Sequence, residues 1–241
     1  PTFEKRHAYK NMANTFTHTA FSPEHLEALK GLVDDLQNTI VTQIAERREI
    51  TREEVLKWFA QGVITAKDAH ANGLVDALGY FDEIYAQLPM PEMEDDHWLG
   101  VAEYYFALKA KKEGPHFALV MADGQIMRGP SVDDPFGGQQ TVGSSTIAQA
   151  LRQARKDEVK GVLLRVNSPG GSYLASDIIR REIMLTRKAG IPVVTSMGSV
   201  AASGGYYIAC QADTIVAHPA TITGSIGVIG LRLNMSKLLN K

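Results

Sequence analysis

The sequence predicts an α/β protein: a parallel sheet with crossover helices, preceded by a mainly helical segment. Three observations carry this expectation. From residue 116 onward, short and nearly continuous apolar runs alternate with helix-like stretches, as the strands and crossover helices of a parallel sheet would. Residues 1–88 instead repeat apolar positions every three or four residues between helix caps. Between the two, residues 89–115 open with two prolines and the acidic run Glu92-Met93-Glu94-Asp95-Asp96, the composition of a connection.

In the first region, Ser22-Pro23-Glu24 predicts a helix start, with serine at the N-cap and proline at the first helical position. Leu26, Leu29, Val33, Leu36, Ile40 and Ile44 then form one apolar stripe. Thr51 with Glu54 forms a capping box for a second helix, whose inner face is expected to hold Val55, Trp58 and Phe59. A third helix is expected over Ala66 to Ala71, ended by Gly73. Inside the connection, Val101 to Lys111 predicts one short helix before Gly114-Pro115.

In the second region, strands are expected at 117–121, 161–166, 192–197 and 214–217. Helices are expected at 145–156, 175–189 and 202–210. No repeat of 20 to 50 residues is visible.

The 241 residues carry a formal net charge of -2, which gives no electrostatic reason for a nucleic-acid partner. No run reaches the ~18 apolar residues of a membrane span. There is no HExxH, paired CxxC or acidic calcium loop, so no metal and no cofactor is expected. The single cysteine, Cys210, sits in the apolar run Tyr206-Tyr207-Ile208-Ala209-Cys210 and reads as a small buried hydrophobe.

Three small-residue turns carry the chemistry. Gly198-Ser199-Val200-Ala201-Ala202-Ser203-Gly204-Gly205 joins a strand to a helix. A serine there presents its hydroxyl beside the next backbone N–H, which is what a nucleophile with one oxyanion donor requires. Close packing of a helix on a strand accounts for the same run. Asn167-Ser168-Pro169-Gly170-Gly171-Ser172 frees backbone N–H groups at a strand end, and it lacks the spacing of a phosphate loop. Thr221-Ile222-Thr223-Gly224-Ser225-Ile226-Gly227 is the third. A serine nucleophile needs a base, and none of the seven histidines lies in a recommending motif. A lysine serves if its pKa falls from ~10.4 to near neutral, a differential cost of about 4 kcal/mol. Composition and spacing do not select which lysine.

Together, Arg165 to Ser172, Ala201 to Tyr207 and Thr223 to Gly227 resemble the signal peptide peptidase A (protease IV) family of the ClpP/crotonase superfamily. The resemblance extends to the first half through Tyr9-Lys10-Asn11-Met12, Ser22-Pro23-Glu24 and Gly73-Leu74-Val75-Asp76-Ala77-Leu78-Gly79. It implies Ser203 as nucleophile and Lys10 as general base. It also implies oxyanion donors at Gly204, Gly170 and Gly171, and substrate contacts at Ser225, Gly224 and Ser199. Asn14-Thr15 departs from the proline common after this lysine. Lysine precedes serine here, as in the long members built of two fused domains. Residues 1–88 are then expected to be the helical end of a first, lysine-bearing peptidase domain, 89–115 a linker, and 116–241 the beginning of a second, serine-bearing one.

The resemblance further implies hydrophobic peptides as substrates, such as remnant signal peptides, and a ring or dome of identical subunits. It implies a place at the bacterial inner membrane, catalytic part periplasmic or extracytoplasmic, through an anchor lying outside this sequence. Three other readings stand beside it: a phage capsid-maturation protease of the same family, a crotonase-type acyl-CoA enzyme, and an inactive module.

Overall fold

The structure is a computed structural model that describes residues 6–87, 114–132 and 140–230. The chain divides into two compact units, Pro1–Ala110 and Lys111–Lys241. The short helix expected over Val101 to Lys111, and most of the connection around it, lies outside the described residues.

The first unit is helical: α1 (Asn14–Thr17), α2 (Pro23–Arg48), α3 (Arg52–Gln61), α4 (Ala66–Ala71) and α5 (Phe81–Tyr85). The local signals hold at the caps. The Ser22 hydroxyl accepts the His25 N–H at 3.3 Å. Thr51 and Glu54 form the reciprocal capping box. At the end of α4, Gly73 has φ 74°, its N–H donates to His70 O, and the Leu74 N–H donates to Ala69 O. These two bonds are the Schellman pattern that glycine favours.

The expected inner faces are only partly right. The buried apolar residues of this unit, among those described, are Val41, Ala45 and Val55, with Ile44, Ile50 and Trp58 packed against them. Leu26, Leu29, Val33 and Ile40 of the α2 stripe are exposed within the unit, and so is Phe59. The stripe is longer than the helix α3 that packs on it, so only its carboxyl-terminal end is covered.

The second unit holds the expected α/β pattern. Its elements are β1 (Phe117–Asp123), β2 (Gln125–Met127), β3 (Thr141–Gly143), α6 (Ser144–Lys156), β4 (Gly161–Ser168), α7 (Tyr173–Lys188), β5 (Val193–Ala202), α8 (Gly204–Ala209), β6 (Thr214–Val216) and β7 (Ile222–Gly224). The main sheet runs β1-β4-β5-β6, with β7 also on β5, and every pairing is parallel. The fold class expected from sequence is therefore the one observed. Leu164, Val166, Ile179, Ile183 and Ile208 are fully buried where helices meet the sheet. The buried Glu182 carboxylate of α7 binds Arg152 at 2.6 Å and Arg155 at 2.5 Å, tying α7 to α6.

Three details differ from expectation. Strand β5 extends five residues past Met197, because Val200 to Ala202 pair with β7 although alanine and glycine are poor strand formers. The short pair β2–β3 was not anticipated. Cys210 is exposed, at the end of the short α8, with its Sγ 3.1 Å from Tyr207 O.

Candidate active site

The second unit gathers its small-residue turns at the carboxyl ends of β4, β5 and β7, where open parallel sheets present ligand crevices. Ser203 caps α8 immediately after β5, with φ 51° and ψ -116°. A non-glycine residue held there costs about 1–3 kcal/mol, so its surroundings must fix it. They do so on both sides. The Ser203 N–H donates to Gly224 O at 2.8 Å, and the Ser203 carbonyl accepts the Tyr207 N–H at 2.9 Å. Ala201, Ala202, Gly204 and Gly205 are buried, while Ser203 is half-buried.

The Ser168–Gly171 turn lies directly against this corner. A Cβ on Gly170 would stand 2.8 Å from Ser203 Cβ and 2.7 Å from Gly204 N. A Cβ on Gly204 would stand 2.5 Å from Ser176 Oγ and 3.3 Å from Gly171 N. Gly170 and Gly171 both take positive φ, at 102° and 152°. Glycine is thus required here by both conformation and space.

The hydrogen bonds sort the three candidate oxyanion donors. The Gly170 N–H donates to the buried Ser168 hydroxyl at 3.2 Å. Around Gly171, the ladder runs from Ile126 N–H to Gly170 O and from Ser172 N–H to Ile126 O, both at 2.8 Å. The N–H groups of Gly171 and Gly204 lie outside these bonds, and Gly204 is the first residue of its helix, where N–H groups have no intrahelical acceptor.

Of the other candidates, Gly224 supplies the carbonyl that holds Ser203. Ser225 follows it, exposed and at φ 46°. Ser199 is exposed on β5. Lys10 belongs to the first unit, where it is exposed and its N–H donates to His7 O at 3.3 Å. The structure thus brings Ser203, Gly204, Gly224, Gly170 and Gly171 into contact and describes Lys10 in a separate unit.

Several supporting residues gave little sequence signal. Asn167 fills a bulge in β5: Val166 pairs with Met197, but Ser168 pairs with Ala201. Its Oδ1 accepts the Val200 N–H at 3.2 Å and its Nδ2 donates to Asp123 at 3.0 Å. Gly198 within a strand was the available hint. The Ser176 hydroxyl donates to Ser172 O at 3.0 Å and packs on Gly204. Thr223 donates to Ala201 O at 2.7 Å, locking β7 beside the corner.

Beyond the corner, Tyr207 donates its hydroxyl hydrogen to Asp177 at 2.9 Å. That acceptor, together with burial, pushes the Tyr207 phenol up to about 12. Arg180, and then Tyr207, hold the Asp177 carboxyl below the usual carboxylate range. Among the described residues, no group of three His, Cys, Asp or Glu side chains could hold a metal ion, and no helix is long and apolar enough to cross a membrane.

Comparison with known proteins gives these features a context. Residues 2–92 and 186–241 match the model of peptidase family S49, the first segment containing Lys10 and the second Ser203. Protease 4 of Salmonella typhi is 36% identical over 237 residues, covering 92% of this chain and 37% of its own length. The chloroplastic serine protease SPPA of Arabidopsis thaliana is 32% identical over 256 residues, covering 100% of this chain and 36% of its own. Protease 4 of Haemophilus influenzae is 33% identical over 239 residues, covering 91% and 38%. The chain thus spans little more than a third of the length of these relatives. With more than half of its residues matched by the family model, the chain belongs to peptidase family S49.

Proposed function

We propose that this member of peptidase family S49 contributes the serine, and a lysine, of a Ser-Lys endopeptidase acting on hydrophobic peptides such as remnant signal peptides. The observation that carries the reading is the Ser203 corner: a serine held at φ 51° with a side-chain-free glycine turn against it. Ser203 Oγ attacks the scissile carbonyl carbon, and its proton passes to the neutral amine of Lys10. The carbonyl oxygen, now negative, accepts from the N–H groups of Gly204 and Gly171, while Gly170 forms the wall between them. The tetrahedral intermediate collapses as the Lys10 ammonium returns the proton to the departing amine. Water, deprotonated by the same lysine, then hydrolyses the acyl-enzyme.

Ser199, Gly224 and Ser225 lie on the strands and loop that flank Ser203, and in this reading they border the peptide. The reading keeps a ring or dome of copies and a location at a bacterial inner membrane, through sequence beyond this chain. Sedimentation of the chain over a concentration series tests the assembly; a monomer at all concentrations overturns it.

Fluorophosphonate labelling with mass-spectrometric location of the adduct tests the chemistry. We expect the adduct on Ser203, none in Ser203→Ala, and labelling at least ~100-fold slower in Lys10→Ala, within the range for loss of a general base. A folded protein labelled elsewhere, or not at all, overturns the nucleophile. Unchanged labelling in Lys10→Ala overturns the base.

A further inference from the structure

The two N–H groups assigned to the oxyanion stand at the starts of two different helices. Gly171 leads into α7 through Ser172, and Gly204 begins α8. Along the chain they are separated by the whole of α7 and β5. Their mutual distance therefore depends both on the β4–β5 pairing, which sets Ser168 beside Ala201, and on how α7 and α8 pack. At the turn itself the contact is between small groups, Gly170 and Ser176 against Gly204, which carry no directional bond across it.

One polar contact bridges the two helices close to their starts. Asp177 lies in the second turn of α7, six residues after Gly171, and Tyr207 lies in the first turn of α8, three residues after Gly204. Tyr207 donates to Asp177 Oδ1 at 2.9 Å, and Arg180 Nε donates to the same oxygen at 2.8 Å. The Arg180 guanidinium also sits 5.5 Å from the centroid of the Tyr207 ring, and Tyr173 stacks on that ring at 5.7 Å with planes 24° apart. The tyrosine is thus held on its hydroxyl and on its ring by three residues of α7. The bond to Asp177, with burial, pushes the Tyr207 phenol up to about 12, so the hydroxyl keeps its proton near neutral pH.

We propose that the Tyr207–Asp177 hydrogen bond is a positioning clamp that fixes the spacing of the Gly171 and Gly204 N–H groups. The inference rests on the Ser203 reading above. Tyr207 touches no reacting atom; it acts through the helix that carries Ser203 and Gly204. Its effect belongs to the transition state, because the negative oxygen needs two donors at once, whereas peptide binding along the strands does not.

The test is peptide hydrolysis by the active assembly containing this chain, comparing Tyr207→Phe, Asp177→Ala, Asp177→Asn and the Tyr207→Phe/Asp177→Ala double variant. Displacing a donor costs less than deleting one, so we expect kcat about 10-fold lower in Tyr207→Phe and in Asp177→Ala, with KM within about twofold. The double variant should lose no more than either single one, since both remove the same bond. Asp177→Asn keeps an acceptor for Tyr207 while losing the charge for Arg180, and should retain most of the rate. Unchanged kcat in a folded Tyr207→Phe, a loss confined to KM, or an additive ~100-fold loss in the double variant overturns the clamp. Ser203→Ala, run alongside, separates the two ideas. If it is inactive while Tyr207→Phe is not impaired, the clamp alone is wrong; if Ser203→Ala is active, the reading beneath the clamp is wrong as well.

Discussion

The two units bury their apolar side chains to very different extents. In the α/β unit, a continuous set of residues from Val120 to Ala209 is buried between sheet and helices. In the helical unit, the buried set among the described residues is Val41, Ala45 and Val55, while Leu26, Val33 and Phe81 stay exposed. The difference teaches how each holds its shape. The α/β unit can hold a strained residue such as Ser203, because pairing on both sides of β5 and packing beneath it oppose relaxation. The helical unit relies on local devices: the Ser22, Thr51 and Thr65 caps, and the Schellman turn at Gly73.

That contrast can be broken by substitution. The largest effect is expected from Leu164→Ala, which empties a fully buried site in β4. It should destabilise the α/β unit by about 2–5 kcal/mol, read from hydrogen exchange of the β4 and α7 amides. Exchange in the helical unit at a similar rate to wild type would show that the units are held separately.

Next comes the buried carboxylate. Glu182→Gln removes the negative charge that pairs with Arg155 and Arg152, while Arg155 keeps its bonds to Thr186 Oγ1 and the backbone carbonyl of residue 182, and it should cost up to about 3 kcal/mol. The pH dependence has a definite sign. Burial raises the Glu182 pKa, but the hydrogen bonds of Arg155 and Arg152 outweigh it and hold the carboxyl below its ordinary value. Its contribution is therefore complete above the unfolded value of ~4.3 and is lost as pH falls through the lower folded value. Denaturation across that acid range should show a stability loss in wild type that is smaller in Glu182→Gln. Equal loss in both would remove Glu182 from the account.

A matched pair sharpens the comparison. Val166 and Val55 are both fully buried, one in each unit. Each valine-to-alanine change removes two methyl groups, a transfer loss of about 1.6 kcal/mol. Val166→Ala should cost more than this, because the sheet cannot collapse into the cavity, while Val55→Ala should cost that or less. A reversed order in urea titrations of the two variants would sink the contrast. The smallest effect is expected from Thr51→Ala, which removes the capping box of α3 and should cost about 1 kcal/mol. It should appear as faster amide exchange in the first turn of α3 alone.

The legible part of the site was its set of small-residue turns, because glycine is needed at 170 and 171 by backbone conformation and at 204 by space, and so must stand in the sequence. Ser168, Ser176, Asn167 and the Tyr207–Asp177 bond were not legible. The hydrogen bonds of Asn167 and Tyr207, and the packing of Ser168 on Gly205 and of Ser176 on Gly204, each join residues of different elements. Cys210 was misread for a related reason: its apolar neighbours Ile208 and Ala209 are buried, but α8 ends there and the thiol faces outward.

By itself, then, the sequence determined the alternation of strands and helices, the caps of α2, α3 and α4, and the order of the three turns, since these follow from spacing and backbone chemistry within a few residues. Tertiary structure alone decided that β5 runs on to Ala202, that Ser203 takes φ 51°, and that Gly170 packs against Ser203 and Gly204. It also decided that most of the α2 stripe stays uncovered. The reason is common to all four. Periodicity states which face of an element is apolar or which turn is tight, but register and packing against residues distant in the chain decide what that face or turn meets.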